Sequence, residues 1–118
     1  MSMSNYKELS IAKAIGAGLA KSMQKDPKVL VFGEDVARLG GVFRVTEGLL
    51  DEFGEDRVFN SPIAESGIVG TAIGLAMRGY RSVAEIQFDG FVFPAFNQIT
   101  TQLAKLTYRS EGYLQMPI

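Results

Sequence analysis

Apolar residues recur at every fourth position near the start of the chain, at Ile11, Ile15, Leu19 and Met23, with Ala12 and Ala20 beside them. That spacing lays one stripe along a helix, and Asp26-Pro27 predicts its end, because the residue before a proline disfavours the α region. Val29-Leu30-Val31-Phe32 is apolar without alternation, the pattern of a parallel strand buried on both faces, and Gly33-Glu34-Asp35 closes it. Residues 37–45 read as a loop bent at Gly40-Gly41, and Thr46 is the expected cap of a short helix that runs to Phe53 and stops at Gly54. Arg57 to Asn60 forms a second strand, and Ser61-Pro62 forces an extended turn. A small-residue helix over 66–77 follows, closed by Gly79. Ser82 to Phe88 reads as the third strand. Pro94 to Tyr108 reads as one long helix with Phe96, Ile99, Leu103 and Leu106 on a single face. Residues 113–118 resemble the start of a fourth strand.

Helices alternating with short apolar strands predict an α/β fold: a parallel sheet with right-handed crossovers and helices on both faces. The 118 residues suffice for one domain and not for two. The pattern breaks off where another strand is due, so the expected architecture is a truncated one.

Composition removes several functions. With a net charge of −1 and no basic block, nothing here is suited to follow a phosphate backbone, so no nucleic acid partner is expected. The chain has no cysteine and no histidine, which excludes disulfides, thiolate metal sites and a Ser-His or Cys-His nucleophile pair within it. The longest small-and-apolar stretch, 67–77, falls short of the roughly 20 residues a bilayer helix needs. No secretory signal pattern precedes it, and a cytoplasmic location is expected.

Glu65 is the strongest chemical candidate. It lies between a short strand and a helix, where open α/β sheets bind ligands beyond the carboxyl ends of their strands. As a plain helix-start carboxylate it would interact with the macrodipole for about 0.3–1 kcal/mol. As a proton-handling group it would need an apolar surround, for which Ile63, Ile68 and Val69 are placed. Spacing alone leaves both readings open. Phe88, Phe91, Phe93 and Phe96 follow the third strand; most are expected in the core, while Phe91 falls at a second strand-to-helix junction on the same sheet edge and can face a flat ligand. Gln87 is an amide near that edge. Gly67, Gly70 and Gly74, with Ala72 and Ala76, give the intervening helix a bare face suited to a second backbone at a subunit boundary. Gly40-Gly41 lacks the spacing of a phosphate cradle.

Five segments, GEDV (33–36), GGVFRVTEGL (40–49), SPIAESGIVGTAIGLAMRG (61–79), AEIQFDGFVFPAFNQI (84–99) and AKLTYRSEG (104–112), together resemble the beta subunit of thiamine-diphosphate-dependent 2-oxo acid dehydrogenases. That subunit belongs to the decarboxylating component of the pyruvate and branched-chain complexes. The resemblance implies the thiamine-diphosphate-binding fold, with residues 1–118 as the N-terminal part of its transketolase-like pyrimidine-binding domain and the C-terminal domain absent. It implies thiamine diphosphate as cofactor, with its diphosphate and Mg2+ held by an alpha subunit and no metal held here. Glu65 then hydrogen-bonds a pyrimidine ring nitrogen, Phe91 lies against the pyrimidine, and Ile63 and Gln87 line the same pocket. The implied partners are the alpha subunit, a second beta subunit in a heterotetramer, and the dihydrolipoyl acyltransferase core that receives the acyl group on a lipoyl arm. Asn97 departs from a common aspartate, and Asn60-Ser61 from the usual pair. The family histidine of acyl transfer has no counterpart in these residues, so this stretch alone is not expected to turn over substrate. Two other readings stand beside it: a non-catalytic, flavodoxin-like interaction module, and a relative of transketolase or deoxyxylulose-phosphate synthase.

Overall fold

The computed structural model describes residues 8–118. Ser10 opens helix α1 (Ile11–Lys25), its hydroxyl accepting from the Lys13 amide at 3.4 Å. Asp26, extended at φ −133°, ends the helix before Pro27. Strand β1 (Val29–Gly33), buried throughout, is the centre of a parallel sheet of order β2-β1-β3, with β2 at Val58–Asn60 and β3 at Arg81–Glu85. Gly33 pairs with both Asn60 and Glu85, so the three strands finish at one edge.

Each face of the sheet has its own helices. On one, α1 and α2 (Leu49–Phe53) bring Met23 and Leu49 onto Val29, Val31 and Val58. On the other, α3 (Glu65–Met77) sets Ile68 and Ala72 against Phe32, with Phe59 and Ala84 alongside. Phe32 stacks on Phe59 with ring centroids 5.1 Å apart. Burying such a ring stabilises by about 1.5–3 kcal/mol. The α/β expectation, a parallel sheet covered on both sides, is what the structure contains.

Polar clamps hold the lower end of the sheet. The Arg57 guanidinium donates to the carbonyls of Met23, Asp26 and Val29 and lies over the Phe53 ring. Asp26 accepts from the Lys28 amide at 2.8 Å and from Arg81 Nε at 2.7 Å, tying the α1–β1 turn to β3.

Several local expectations fail for identifiable reasons. The α1 stripe is buried only at its far end: Met23 is enclosed, while Ile11 is 81% exposed. Thr46 does not cap α2; its buried hydroxyl donates to the Val36 carbonyl at 2.7 Å, and Gly48 takes the cap position. Strand β3 stops at Glu85 because its partner β1 stops at Gly33. The expected helix over 94–108 is continuous but not uniform: a 3-10 turn (Asp89–Ala95) leads through 96–97 into a π segment (Gln98–Leu103) and then α4 (Ala104–Arg109). Pro94 supplies no amide, and the hydroxyls of Thr100 and Thr101 donate to the carbonyls of Phe96 and Asn97, competing with the α ladder. Phe88, Phe91, Phe93 and Phe96 are all exposed, because Ala95 is the residue of that segment that turns into the cluster of Val69 and Ile73. Residues 113–118 are irregular rather than a strand, with Met116 against the same cluster. No helix among the described residues is long and apolar enough to cross a membrane.

Candidate functional site at the carboxyl edge of the sheet

Glu65 is the first residue of α3, separated from the end of β2 by the turn 61–64, and is partly buried. The turn before it is pinned: the Ser61 amide donates to the Gly33 carbonyl at 2.7 Å, and Asn60 Oδ1 accepts from the Ala37 amide at 2.9 Å. These bonds join the ends of β1 and β2 and fix the direction in which Pro62 delivers the chain to the helix. Ala64 at the cap position offers no side-chain bond, which leaves the first turn of α3 to Glu65 itself.

The expected apolar surround is only partly present. Ile68 and Val69 belong to the core clusters beneath the helix, and Ile63 is 82% exposed. Whatever Ile63 lines is therefore not closed by this chain alone. A cavity of about 300 Å³ opens beside the turn, between Phe59, Ser61, Ala64 and Thr71. A larger groove of about 710 Å³ lies away from this edge, between the end of α3 and residues 113–117.

Gln87 and Phe91 follow β3 to the same edge. The Gln87 amide reaches Asp35 Oδ2 at 3.4 Å, a long bond that ties the exit of β3 to the exit of β1. Phe91 is 45% exposed and meets Phe88 edge to face, centroids 5.5 Å apart. Phe91 thus presents an open aromatic surface inside the 3-10 turn that follows β3, not at the strand's end.

Two further carboxyls were not singled out from the sequence. Glu34, the first residue after β1, is 3% exposed, and its Oε1 has no hydrogen-bond partner. Burial, then the charges of Glu65 and Asp35, push its pKa up. Glu85, the last residue of β3, is likewise pushed up by burial and then by Glu34. Its carboxylate lies against Gly41, where an added methyl would sit 3.4 Å from both oxygens. Glu34 carried the same signal as Glu65, an acid after an apolar strand. Among the described residues no three acidic side chains are grouped to hold a metal ion. In its neutral form Glu34 would be a hydrogen-bond donor as well as an acceptor.

Residues 7–118 match the family described as transketolase, pyrimidine binding domain. The chain is 64% identical over 112 residues to the pyruvate dehydrogenase E1 component subunit beta of Leifsonia xyli subsp. xyli, covering 95% of this chain and 33% of that protein. It is 55% identical over 112 residues to the 3-methyl-2-oxobutanoate dehydrogenase subunit beta of Mycobacterium tuberculosis, covering 95% and 32%. It is 52% identical over 111 residues to the pyruvate dehydrogenase E1 component subunit beta of Staphylococcus aureus, covering 94% and 34%. The chain therefore spans about a third of the length of these relatives. A flavodoxin-like module has no support beside such matches. With its parallel sheet, its acid-lined carboxyl edge and a match over nearly all its residues, the chain belongs to the transketolase pyrimidine-binding domain family.

Proposed function

We propose that this chain forms the N-terminal part of the beta subunit of a decarboxylating 2-oxo acid dehydrogenase and holds the aminopyrimidine of thiamine diphosphate. The observation that carries the reading is Glu65, set at the β2–α3 junction of the matched domain, on the edge where Phe91 is open. The printed names of the relatives supply the reaction class.

The residues fit such a group. An aminopyrimidine offers ring nitrogens and an exocyclic amine, which ask for carboxyl and amide partners and a flat apolar neighbour. Glu65, the loosely held amide of Gln87 and the exposed ring of Phe91 are of those types. Bound here, thiamine diphosphate supplies an electron sink for the bond broken in decarboxylation. Glu65 holds or moves a proton at a pyrimidine ring nitrogen, Phe91 orients the ring by stacking, and Ile63 and Gln87 exclude water and fix the ring in its plane. The diphosphate and its Mg2+ are assigned, by the family resemblance, to an alpha partner. The open glycine face of α3 is assigned to a second beta subunit, and the acyl product to a lipoyl arm on an acyltransferase core. A bacterial assembly of this kind works in the cytoplasm.

The test uses the full-length beta chain assembled with its alpha partner. Glu65→Gln is expected to abolish carbon dioxide release from a 2-oxo acid while assembly and the far-ultraviolet dichroism stay unchanged. Near-normal turnover refutes the role.

A further inference from the structure

Phe91 does not stand alone. Its ring meets Phe88 edge to face at 5.5 Å, and Phe88 in turn meets Phe43 edge to face at 5.6 Å. Phe43 belongs to a different element, the loop between β1 and α2. The three residues are 57%, 44% and 45% exposed for Phe43, Phe88 and Phe91. Each ring edge sits against a neighbour in the arrangement that aromatic quadrupoles favour.

The loop carrying Phe43 is built to hold a fixed shape. Gly40 and Gly41 have φ of 77° and 78°, and Arg44, beside Phe43, has φ 58°, a conformation that costs a side-chain-bearing residue energy. Hydrogen bonds hold that backbone: the Gly41 amide to Asp35 O at 2.9 Å, the Thr46 amide to Gly40 O at 3.1 Å, and the Arg44 amide to Gly41 O at 3.0 Å. The Thr46 hydroxyl fixes the loop's far end to Val36. The Arg44 guanidinium bonds the Leu39 carbonyl. The same loop begins at Asp35, which receives the Gln87 amide. It therefore touches the segment after β3 at two places: at Gln87, assigned to the pyrimidine, and at Phe88, whose ring meets that of Phe91.

We propose that Phe43 is a positioning residue, which through Phe88 fixes the orientation of the Phe91 ring that faces the cofactor's pyrimidine. The inference rests on the function proposed above. Phe43 itself does not touch the cofactor. Its contribution is to reduce the orientations Phe91 samples before binding, so that less ordering is left for the binding step.

Calorimetric titration of the full-length assembled protein with thiamine diphosphate and magnesium tests this, beside a parallel titration with inorganic diphosphate and magnesium, which lacks the pyrimidine. Phe43→Ala is expected to weaken thiamine diphosphate by about three- to tenfold, the range of one aromatic pair, and to leave diphosphate affinity unchanged. Phe43→Tyr should restore binding. In a Phe91→Leu background, Phe43→Ala should have no further effect. Because Phe43 is more than half exposed, the variant is expected to keep the wild-type melting temperature. If Phe91→Leu weakens the cofactor but Phe43→Ala does not, or if the two effects simply add, the positioning role is overturned and the function stands. If the unaltered assembly binds no thiamine diphosphate, the proposed function falls, and this inference with it.

Discussion

Burial, reinforced by the negative charge of Glu65, holds the carboxyl of Glu34 above the usual carboxylate range, although the two residues leave different strands. Glu85 is held up in the same direction by burial and by Glu34. Both acids bind protons more tightly folded than unfolded. Their contribution to stability is complete below the unfolded value near 4.5 and is lost as pH rises through the raised folded values. Glu34→Gln removes one of these buried acids. Urea midpoints of the full-length chain, measured from about pH 5 to about pH 8, should fall less steeply with pH in the variant. Parallel curves for the two proteins would contradict this.

Asp26 has the opposite sign. The Lys28 amide, and then the Arg81 guanidinium, lower its pKa below the ordinary 3.8. Its contribution is present above that value and disappears as pH falls through the lowered one. Arg81→Ala should therefore weaken the chain at neutral pH and narrow its difference from the parent in acid. The pair is exposed, and the change should stay within the small range of surface ion pairs.

Gly33 ends β1 at φ 152°, and a methyl built there would lie 2.4 Å from the Glu85 carbonyl oxygen. Backbone, not a movable side chain, blocks the space. Gly33→Ala is expected to destabilise by about 1–3 kcal/mol and to disturb both carboxyls that flank the contact. Equal denaturant midpoints for the two proteins would refute the close approach.

Arg57 satisfies carbonyls of Met23, Asp26 and Val29 while covering Phe53. Arg57→Ala should cost about 2–4 kcal/mol, from orphaned carbonyls and lost ring contact. Arg57→Lys should recover little, since an ammonium cannot reproduce the planar fork. Chemical denaturation of the three proteins decides this.

At Gly70 and Gly74 a built methyl meets nothing within 4 Å. In the 118-residue chain, Gly74→Ala should raise helix stability by about 0.8–1.0 kcal/mol. In the full assembly, Gly74→Leu should instead weaken subunit association in sedimentation measurements. Wild-type association by the leucine variant would remove this face from the proposed beta–beta contact.

The parallel sheet was legible because Val29 to Phe32 is apolar without alternation, a pattern that only burial on both faces rewards. The place of Glu65 at the start of a helix after β2 was legible from the strand and turn themselves, whereas Phe91, expected at a strand end, lies inside the 3-10 turn because β3 stops early at Glu85. Glu34 followed the same rule as Glu65 and was passed over, since a Gly-Glu-Asp turn reads equally well as a solvated stop. Its burial depends on the neighbouring strands, which no local window contains. The 3-10 start and the π segment ahead of Ala104 were not legible either. The hydrophobic spacing there is helical, and the departure comes from Pro94 and from threonine hydroxyls that take main-chain carbonyls. Thr46 shows the same limit: a hydroxyl suited to a cap found a tertiary acceptor on Val36 instead.

Among the described residues β3 is hydrogen-bonded to a neighbouring strand on one flank only, that of β1. Any polypeptide that zips onto its bare flank would grip Arg81–Glu85, the strand that ends two positions before Gln87. A shear of that added segment would bear first on Gln87. Whichever segment paired with that flank would thus bear on the proposed site without touching what the site holds.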